Sequence, residues 1–298
     1  MSPVGGAVTQ GHLGIWSDRH MLSLARLARE IKAKDSVATI QLHHGGRRAS
    51  SALNGKATLC PWDDDEQGVR AMTTAEVHRV TQDFIRGAER ASDAGFDGVE
   101  LHGAHGYLIG EFLDLRNQRA DGYGGRLDDR VRMLFEIVDG IRDRTRPDFQ
   151  LGVRLSPERY GISLDEAKIV AEWLMTSGKL DFLDMSLWDV FKEPEEAPFH
   201  GKPLISHFTG LARGNTRLGV AGHIGDARTA QSCLNAGADY VLIGRGAVLH
   251  SDFPRRAIAD PAFTSMKTPV TREYLRKQGV SDPFLGYLIG FWPDFVTD

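Results

Sequence analysis

Six short runs of apolar and β-branched residues, at 36–42, 96–102, 149–156, 180–186, 218–222 and 238–244, alternate along this chain with longer stretches of helical periodicity at 18–33, 74–94, 127–144, 164–177 and 227–236. Apolar runs of this length read as parallel strands buried on both faces, and the periodic stretches between them as crossover helices. Thr73 and Ser163 stand at two helix starts with Glu76 and Glu166 three places on, the pattern of a capping box. Ala94-Gly95-Phe96-Asp97 and Ala236-Gly237-Ala238-Asp239 repeat one helix-to-strand junction. These features define a repeated βα array. Without a composition shift or linker, all 298 residues read as one domain with longer loops at 49–72, 103–126 and 188–217 and a tail after Pro254.

Such an array builds either a doubly wound sheet or a (β/α)8 barrel. A dinucleotide-binding sheet carries Gly-x-Gly-x-x-Gly after an early strand, and no such spacing occurs here. Glycines instead follow the last two strands, at Gly222 and at Gly244-Arg245-Gly246, where barrels commonly hold a phosphate. The barrel is the favoured fold.

The 36 Lys and Arg against 40 Asp and Glu leave a formal charge of -4, with none of the basic excess that nucleic acid or an anionic membrane demands. Cys60 and Cys233 are the only cysteines, so neither a disulfide framework nor a metal–thiolate cluster is expected, and a reducing cytoplasm fits. No leader pattern and no membrane-spanning run is legible. The expected partner is a small molecule.

In a parallel α/β fold the C-terminal ends of the strands hold the chemistry. Those ends carry Gln41, His44 and Arg47, then His102, His105 and Tyr107, then Arg154, then Gly222, then Gly244 and Arg245. Burying such groups unpaired costs on the order of several kcal/mol, so a ligand-lined mouth explains them together. His102 and His105 read as a structural pair, as metal ligands lacking a third partner, or as two neutral N–H donors clamping a carbonyl oxygen, with Tyr107 as proton donor. Gln41 either satisfies backbone groups at the rim or meets a ligand, and Arg154 either pairs with an interior carboxylate such as Asp184 or does the same. Together an amide and an interior guanidinium suit a polar heteroaromatic ring that becomes negative on reduction, as a flavin does. Gly222, Gly244 and Arg245 suit the phosphate of a mononucleotide, or else only make tight turns. Asp63-Asp64-Asp65-Glu66 reads as a solvated loop, and no metal site is expected.

Gln41-Leu-His-His44-Gly-Gly-Arg47, Gly98-Val-Glu-Leu-His102-Gly-Ala-His105-Gly-Tyr107, Asp121-Gly-Tyr-Gly-Gly-Arg-Leu-Asp-Asp-Arg130, Gly152-Val-Arg154-Leu-Ser-Pro157 and Ile243-Gly-Arg245 occur in this order, and with them the chain resembles the Old Yellow Enzyme family over nearly its whole length. The resemblance implies a TIM barrel binding FMN and taking electrons from NADH or NADPH. It implies that Gln41 and Arg154 meet the flavin ring and that Gly222, Gly244 and Arg245 hold its phosphate. His102 and His105 would bind the substrate carbonyl, and Tyr107 would protonate the α-carbon of an activated alkene. The family opens with two βα units ahead of the segment matching 2–16, so the resemblance implies about six of the eight strands, an N-terminally truncated barrel with open sheet edges and weakened FMN binding. Competing readings are a flavin-dependent N-demethylase of a small amine and a non-catalytic barrel fragment. The aromatic tail either closes the site or packs on a second copy in a homo-oligomer.

Overall fold

The computed structural model describes residues 6–9 and 12–298; the loop read over 2–16 lies partly outside them. Ten strands are described: β1 (Thr39–Leu42), β2 (Thr58–Cys60), β3 (Val69–Ala71), β4 (Gly98–Gly103), β5 (Gln150–Leu155), β6 (Phe182–Ser186), β7 (Arg217–Ala221), β8 (Tyr240–Val241), β9 (Val270–Thr271) and β10 (Val296–Thr297). Six form one all-parallel sheet in the order β1-β4-β5-β6-β7-β8. The order advances in one direction and never reverses, so the sheet has no topological switch point. That is the strand order of a (β/α) barrel and excludes a doubly wound sheet. Six of a barrel's eight strands are therefore present among the described residues, with β1 and β8 as the outer strands.

Every predicted run coincides with one of these strands: four strands lie inside their runs, whereas β4 extends one residue past 96–102 and β7 begins one residue before 218–222. Parallel register puts Gln41 beside Glu100, and His102 beside Arg154, Asp184, Gly219 and Tyr240. Their neighbours in sequence, including Ile40, Leu42, Val99, Leu101, Leu151, Val153, Leu183, Met185, Leu218 and Val220, point the other way and are buried. Helices cover that apolar face. The helix Thr74–Asp93 presents Val77, Val80, Phe84, Ala88 and Ala91 at three- and four-residue spacing, and each large side chain so buried stabilises by roughly 1.5–3 kcal/mol. Alternation thus splits every strand into an oily outer face and a polar inner face.

Both expected caps form, but only one is a capping box. Thr73 Oγ1 accepts from the Glu76 backbone N–H at 3.2 Å, and Glu76 returns the bond to Thr73 N–H at 2.9 Å. Ser163 caps Leu164–Thr176 through the Glu166 N–H at 3.3 Å, whereas the Glu166 carboxylate pairs with Arg130. The stretch 127–144 is two helices, Leu127–Arg130 and Arg132–Arg144, and the first ends at Arg130. Its guanidinium turns inward and donates to the carbonyls of Leu113 and Gly125 as well as to Glu166.

The loop over 49–72 contains the small parallel pair β2 and β3, and Asp63 and Asp64 satisfy backbone N–H groups of Ala71 and Gln67. The tail after Pro254 is ordered into β9, β10 and the helices Arg272–Lys277 and Asp282–Phe291. These pack Leu249, Leu275, Leu285, Leu288 and Phe295 into a second, separate apolar cluster. No described helix is long and apolar enough to cross a membrane.

Candidate active site

Strand β4 runs straight into the site. It ends at Gly103, the chain turns through Ala104, and His105 adopts φ 60°, a left-handed conformation uncommon outside glycine. The His105 N–H donates to Ser156 Oγ at 3.2 Å, tying this turn to the end of β5. The result brings His105 Nδ1 to 3.2 Å from His102 Nε2 and sets the Tyr107 ring 4.9 Å from the His102 ring. His102, His105 and Tyr107 therefore form one cluster.

Both imidazoles are held neutral. Burial depresses His105 to about 4, aided by the Arg154 and Arg48 charges, and burial with the neighbouring His105 lowers His102 well below its ordinary value. Two neutral rings 3.2 Å apart share a single proton, so one donates and the other accepts. In this conformation His105 Nδ1 and His102 Nε2 satisfy each other, and His102 Nδ1 is buried without a partner among the described residues. A carbonyl oxygen entering between the rings must replace their mutual bond.

A third imidazole belongs to this cluster. His43 lies 5.1 Å from the Tyr107 ring and 6.1 Å from the His102 ring, is depressed to about 3 chiefly by burial, and has an unpartnered Nδ1. Period-two alternation from Gln41 points His43 inward and His44 outward, a signal present in the sequence. His44 is instead structural: buried, it accepts the Gly46 N–H on Nδ1 at 3.1 Å. Arg47 is structural too, paired with buried Glu111 at 3.7 Å.

One step down the barrel wall lies a polar layer. The Gln41 amide donates to Glu100, and the Tyr240 hydroxyl donates to Asp184. Of the two readings of Arg154, the pair with Asp184 does not form; Arg154 Nε donates to Ser186 Oγ at 2.7 Å while Asp184 is engaged by Tyr240. Glu100 and Asp184 share this buried layer, and the proximity of the second carboxyl group favours the protonated form of Glu100. Burial, followed by Asp184, raises Glu100 to about 8, placing the proton there at neutral pH. Gln41, Glu100, Asp184 and Tyr240 line an open cavity of about 550 Å³ on the inner face of the sheet. Glu100 and Tyr240 share the strand alternation of His102 and Arg154, the signal that marks them as inward-facing.

Gly222 and Gly244 follow β7 and β8, which pair directly through Gly219 with Tyr240 and Val220 with Val241. A Cβ on Gly222, at φ 153°, would lie 2.8 Å from the Trp188 carbonyl carbon. Gly244 precedes the short helix Arg245–Leu249, and the Arg245 guanidinium lies over the Trp292 ring at 4.9 Å. The structure therefore brings the site residues into two groups, the His102 cluster with Gln41 and Arg154 at β1, β4 and β5, and Gly222, Gly244 and Arg245 at β7 and β8.

Comparison with known proteins supplies the class. Residues 1–262 match the NADH:flavin oxidoreductase / NADH oxidase family. An NADPH dehydrogenase of Bacillus licheniformis is 35% identical over 272 residues, covering 89% of this chain and 78% of its own, and one of Halalkalibacterium halodurans is 36% identical over 267 residues, covering 87% and 77%. Among solved structures, morphinone reductase in complex with tetrahydroNAD superposes with a TM-score of 0.74 at 26% identity over 92% of this chain and 78% of that one. An Old Yellow Enzyme homologue from Zymomonas mobilis, at 24% identity, shares the fold with a TM-score of 0.75. The chain belongs to the NADH:flavin oxidoreductase / NADH oxidase family, the Old Yellow Enzymes. It is an FMN-dependent NAD(P)H oxidoreductase.

The residues present fit FMN. An amide and a guanidinium on the inner wall, as at Gln41 and Arg154, are the kinds of group that suit a polar ring whose reduced form is anionic. A Cβ on Gly244 would meet nothing within 4 Å, so the backbone there is open to close approach by a phosphate, and Gly244 and Arg245 follow β8, the strand paired with the β7 that leads to Gly222.

Proposed function

We propose that this protein reduces the activated C=C bond of small α,β-unsaturated carbonyl compounds. The observation that carries the reading is the His102–His105 contact at 3.2 Å with the Tyr107 ring 4.9 Å from His102. Two neutral imidazoles cannot attract an anion by charge, but their N–H groups can polarise a carbonyl oxygen and draw electron density from the conjugated alkene. That makes the β-carbon electrophilic. FMN, held by Gln41, Arg154, Gly222, Gly244 and Arg245, would supply the hydride chemistry for that carbon when bound, with NAD(P)H as the source of electrons. Tyr107 then gives its phenolic proton to the α-carbon, so that two electrons and two protons are added in all, one hydrogen arriving as hydride and one as proton.

In this reading Gln41 and Arg154 hold the flavin edge, and Gly222, Gly244 and Arg245 hold its phosphate. A relative from Vibrio harveyi, 30% identical over 91% of this chain and 29% of its own, is named NADH:acrylate oxidoreductase, and acrylate is itself an activated alkene. The test is a stopped-flow comparison of the two half-reactions in wild type and Tyr107→Phe. Loss of the phenolic proton should slow reoxidation by cyclohexenone about 10²-fold while leaving reduction by NADPH within about twofold. Equal slowing of both half-reactions would remove Tyr107 from the proton step.

A further inference from the structure

Arg48 is the one arginine of the Arg47-Arg48 pair that the fold leaves without a carboxylate. Arg47 meets Glu111 at 3.7 Å, and Arg159, next to Tyr160 in the chain, meets Glu195 at 3.7 Å. Arg48 ends the turn Gly46–Arg48 beyond β1, is exposed, and has no acidic side chain at ion-pair distance among the described residues. Its guanidinium carbon instead lies 5.7 Å from the Tyr107 ring centroid and 5.4 Å from that of Tyr160. Two aromatic faces thus hold the cation in place while leaving its N–H edges unengaged.

The Tyr160 side of this bracket is bought with strain. Tyr160 has φ 64°, a conformation that costs an aromatic residue on the order of 1 kcal/mol or more. A Cβ on Gly106 would stand 2.9 Å from Tyr160 Cδ1, so the ring is seated on the backbone between His105 and Tyr107. The His105 and Tyr160 rings are 6.3 Å apart. An unpaired guanidinium is therefore fixed beside Tyr107, the residue proposed to protonate the alkene.

We propose that Arg48, bracketed by Tyr107 and Tyr160, is an anion-recognition site for the carboxylate of a negatively charged alkene whose ketone rests on His102 and His105. The inference builds on the ene-reductase reading and adds the substrate class. The neutral histidines supply no net charge to hold an anion, and Arg48 provides it against the Tyr107 ring, which lies 4.9 Å from that of His102. A 4-oxo-2-enoate carries both groups, a ketone for the imidazoles and a carboxylate for the guanidinium.

The experiment compares 4-oxopent-2-enoate with its methyl ester in the flavin-loaded protein, wild type and Arg48→Gln. Calorimetry of the saturated analogues, 4-oxopentanoate and its methyl ester, runs beside the kinetics. In wild type the acid should bind about tenfold more tightly than the ester, and Arg48→Gln should abolish that difference by weakening the acid alone. kcat/KM for the acid should fall by the same factor, with the ester unchanged. Equal binding of acid and ester to wild type overturns the proposal, as does a variant whose only defect is a raised KM for NADPH, which would assign Arg48 to the nucleotide phosphates. The calorimetric comparison decides the anion site even where neither alkene is turned over, an outcome that would count against ene reduction itself.

Discussion

His102 Nε2 and His105 Nδ1 lie 3.2 Å apart with one proton between them, and both rings are neutral because the barrel wall buries them beside Arg154. A buried donor pair of this kind should work across the whole neutral range. His105 is depressed from 6.5 to about 4, so its neutral form persists as pH falls through 6.5 and is lost only near 4. The expected outcome is that clamp protonation leaves kcat/KM for a neutral enone unaffected from pH 8 down to about 5, in contrast to a solvent-exposed histidine, which would titrate near 6.5. A pH–rate profile with an acid limb at 6–7 that disappears in His105→Asn would contradict this.

Removing a clamp member should act on the alkene alone. His102→Ala deletes one ring of the pair and leaves His105 Nδ1 without its partner, while Gln41, Arg154 and the Gly222 turn are untouched. Loss of one carbonyl-polarising donor is worth about 3 kcal/mol, so enone reduction should fall roughly 10²-fold with NADPH oxidation by the flavin nearly unchanged. Pre-steady-state rates of the two half-reactions measure the split.

Glu100 carries a stability signature of its own. Its proton is held up to about 8 in the folded protein, against an ordinary value of 4.5, chiefly by burial and then by Asp184. The folded state therefore binds a proton that the unfolded chain releases above 4.5. This contribution is fully present below pH 4.5 and is lost progressively as pH rises through about 8. Glu111, buried and likewise raised to about 8, acts in the same direction. Glu100→Gln mimics the protonated acid, so it should flatten the decline in Tm between pH 5 and 8. A decline as steep as in wild type would mean that Glu100 is ionised in the fold.

The strands and the clamp were legible because both rest on local pattern. Period-two alternation locates every inward residue once a strand is recognised, and His102, His105 and Tyr107 follow from one strand end. What lies between elements was harder to read. Arg154 sits beside Asp184 in register, yet its guanidinium turns to Ser186 because Tyr240, contributed by a strand 56 residues further on, occupies the carboxylate. Glu166 leaves its own helix cap for Arg130, a partner 36 residues away. Arg48 and Tyr160 converge from separate loops, and no periodicity links them. Pairings of this kind depend on three-dimensional competition among polar groups, which the linear pattern does not rank.

The turn after β7 offers a test of the phosphate end that is independent of turnover. Gly222 is at φ 153°, and a Cβ there would stand 2.8 Å from the Trp188 carbonyl carbon and 2.9 Å from the Asp189 nitrogen. Those are backbone atoms, which cannot rotate aside as a side chain would, so Gly222→Ala must move the turn away from the Trp188 segment. Arg245→Gln, by contrast, removes a charge with no such steric demand and frees the Trp292 ring. If both residues hold the FMN phosphate, Arg245→Gln should weaken FMN binding about tenfold, the worth of a charge-assisted contact, with little change in the Tm of the flavin-free protein. Gly222→Ala should weaken binding at least as much and also lower that Tm by several degrees, since a displaced turn costs roughly 1–3 kcal/mol. Fluorescence titration with FMN and thermal denaturation separate the two effects. An Arg245→Gln protein that binds FMN like wild type would release Arg245 from the phosphate site and leave its contact with Trp292 as a purely structural one.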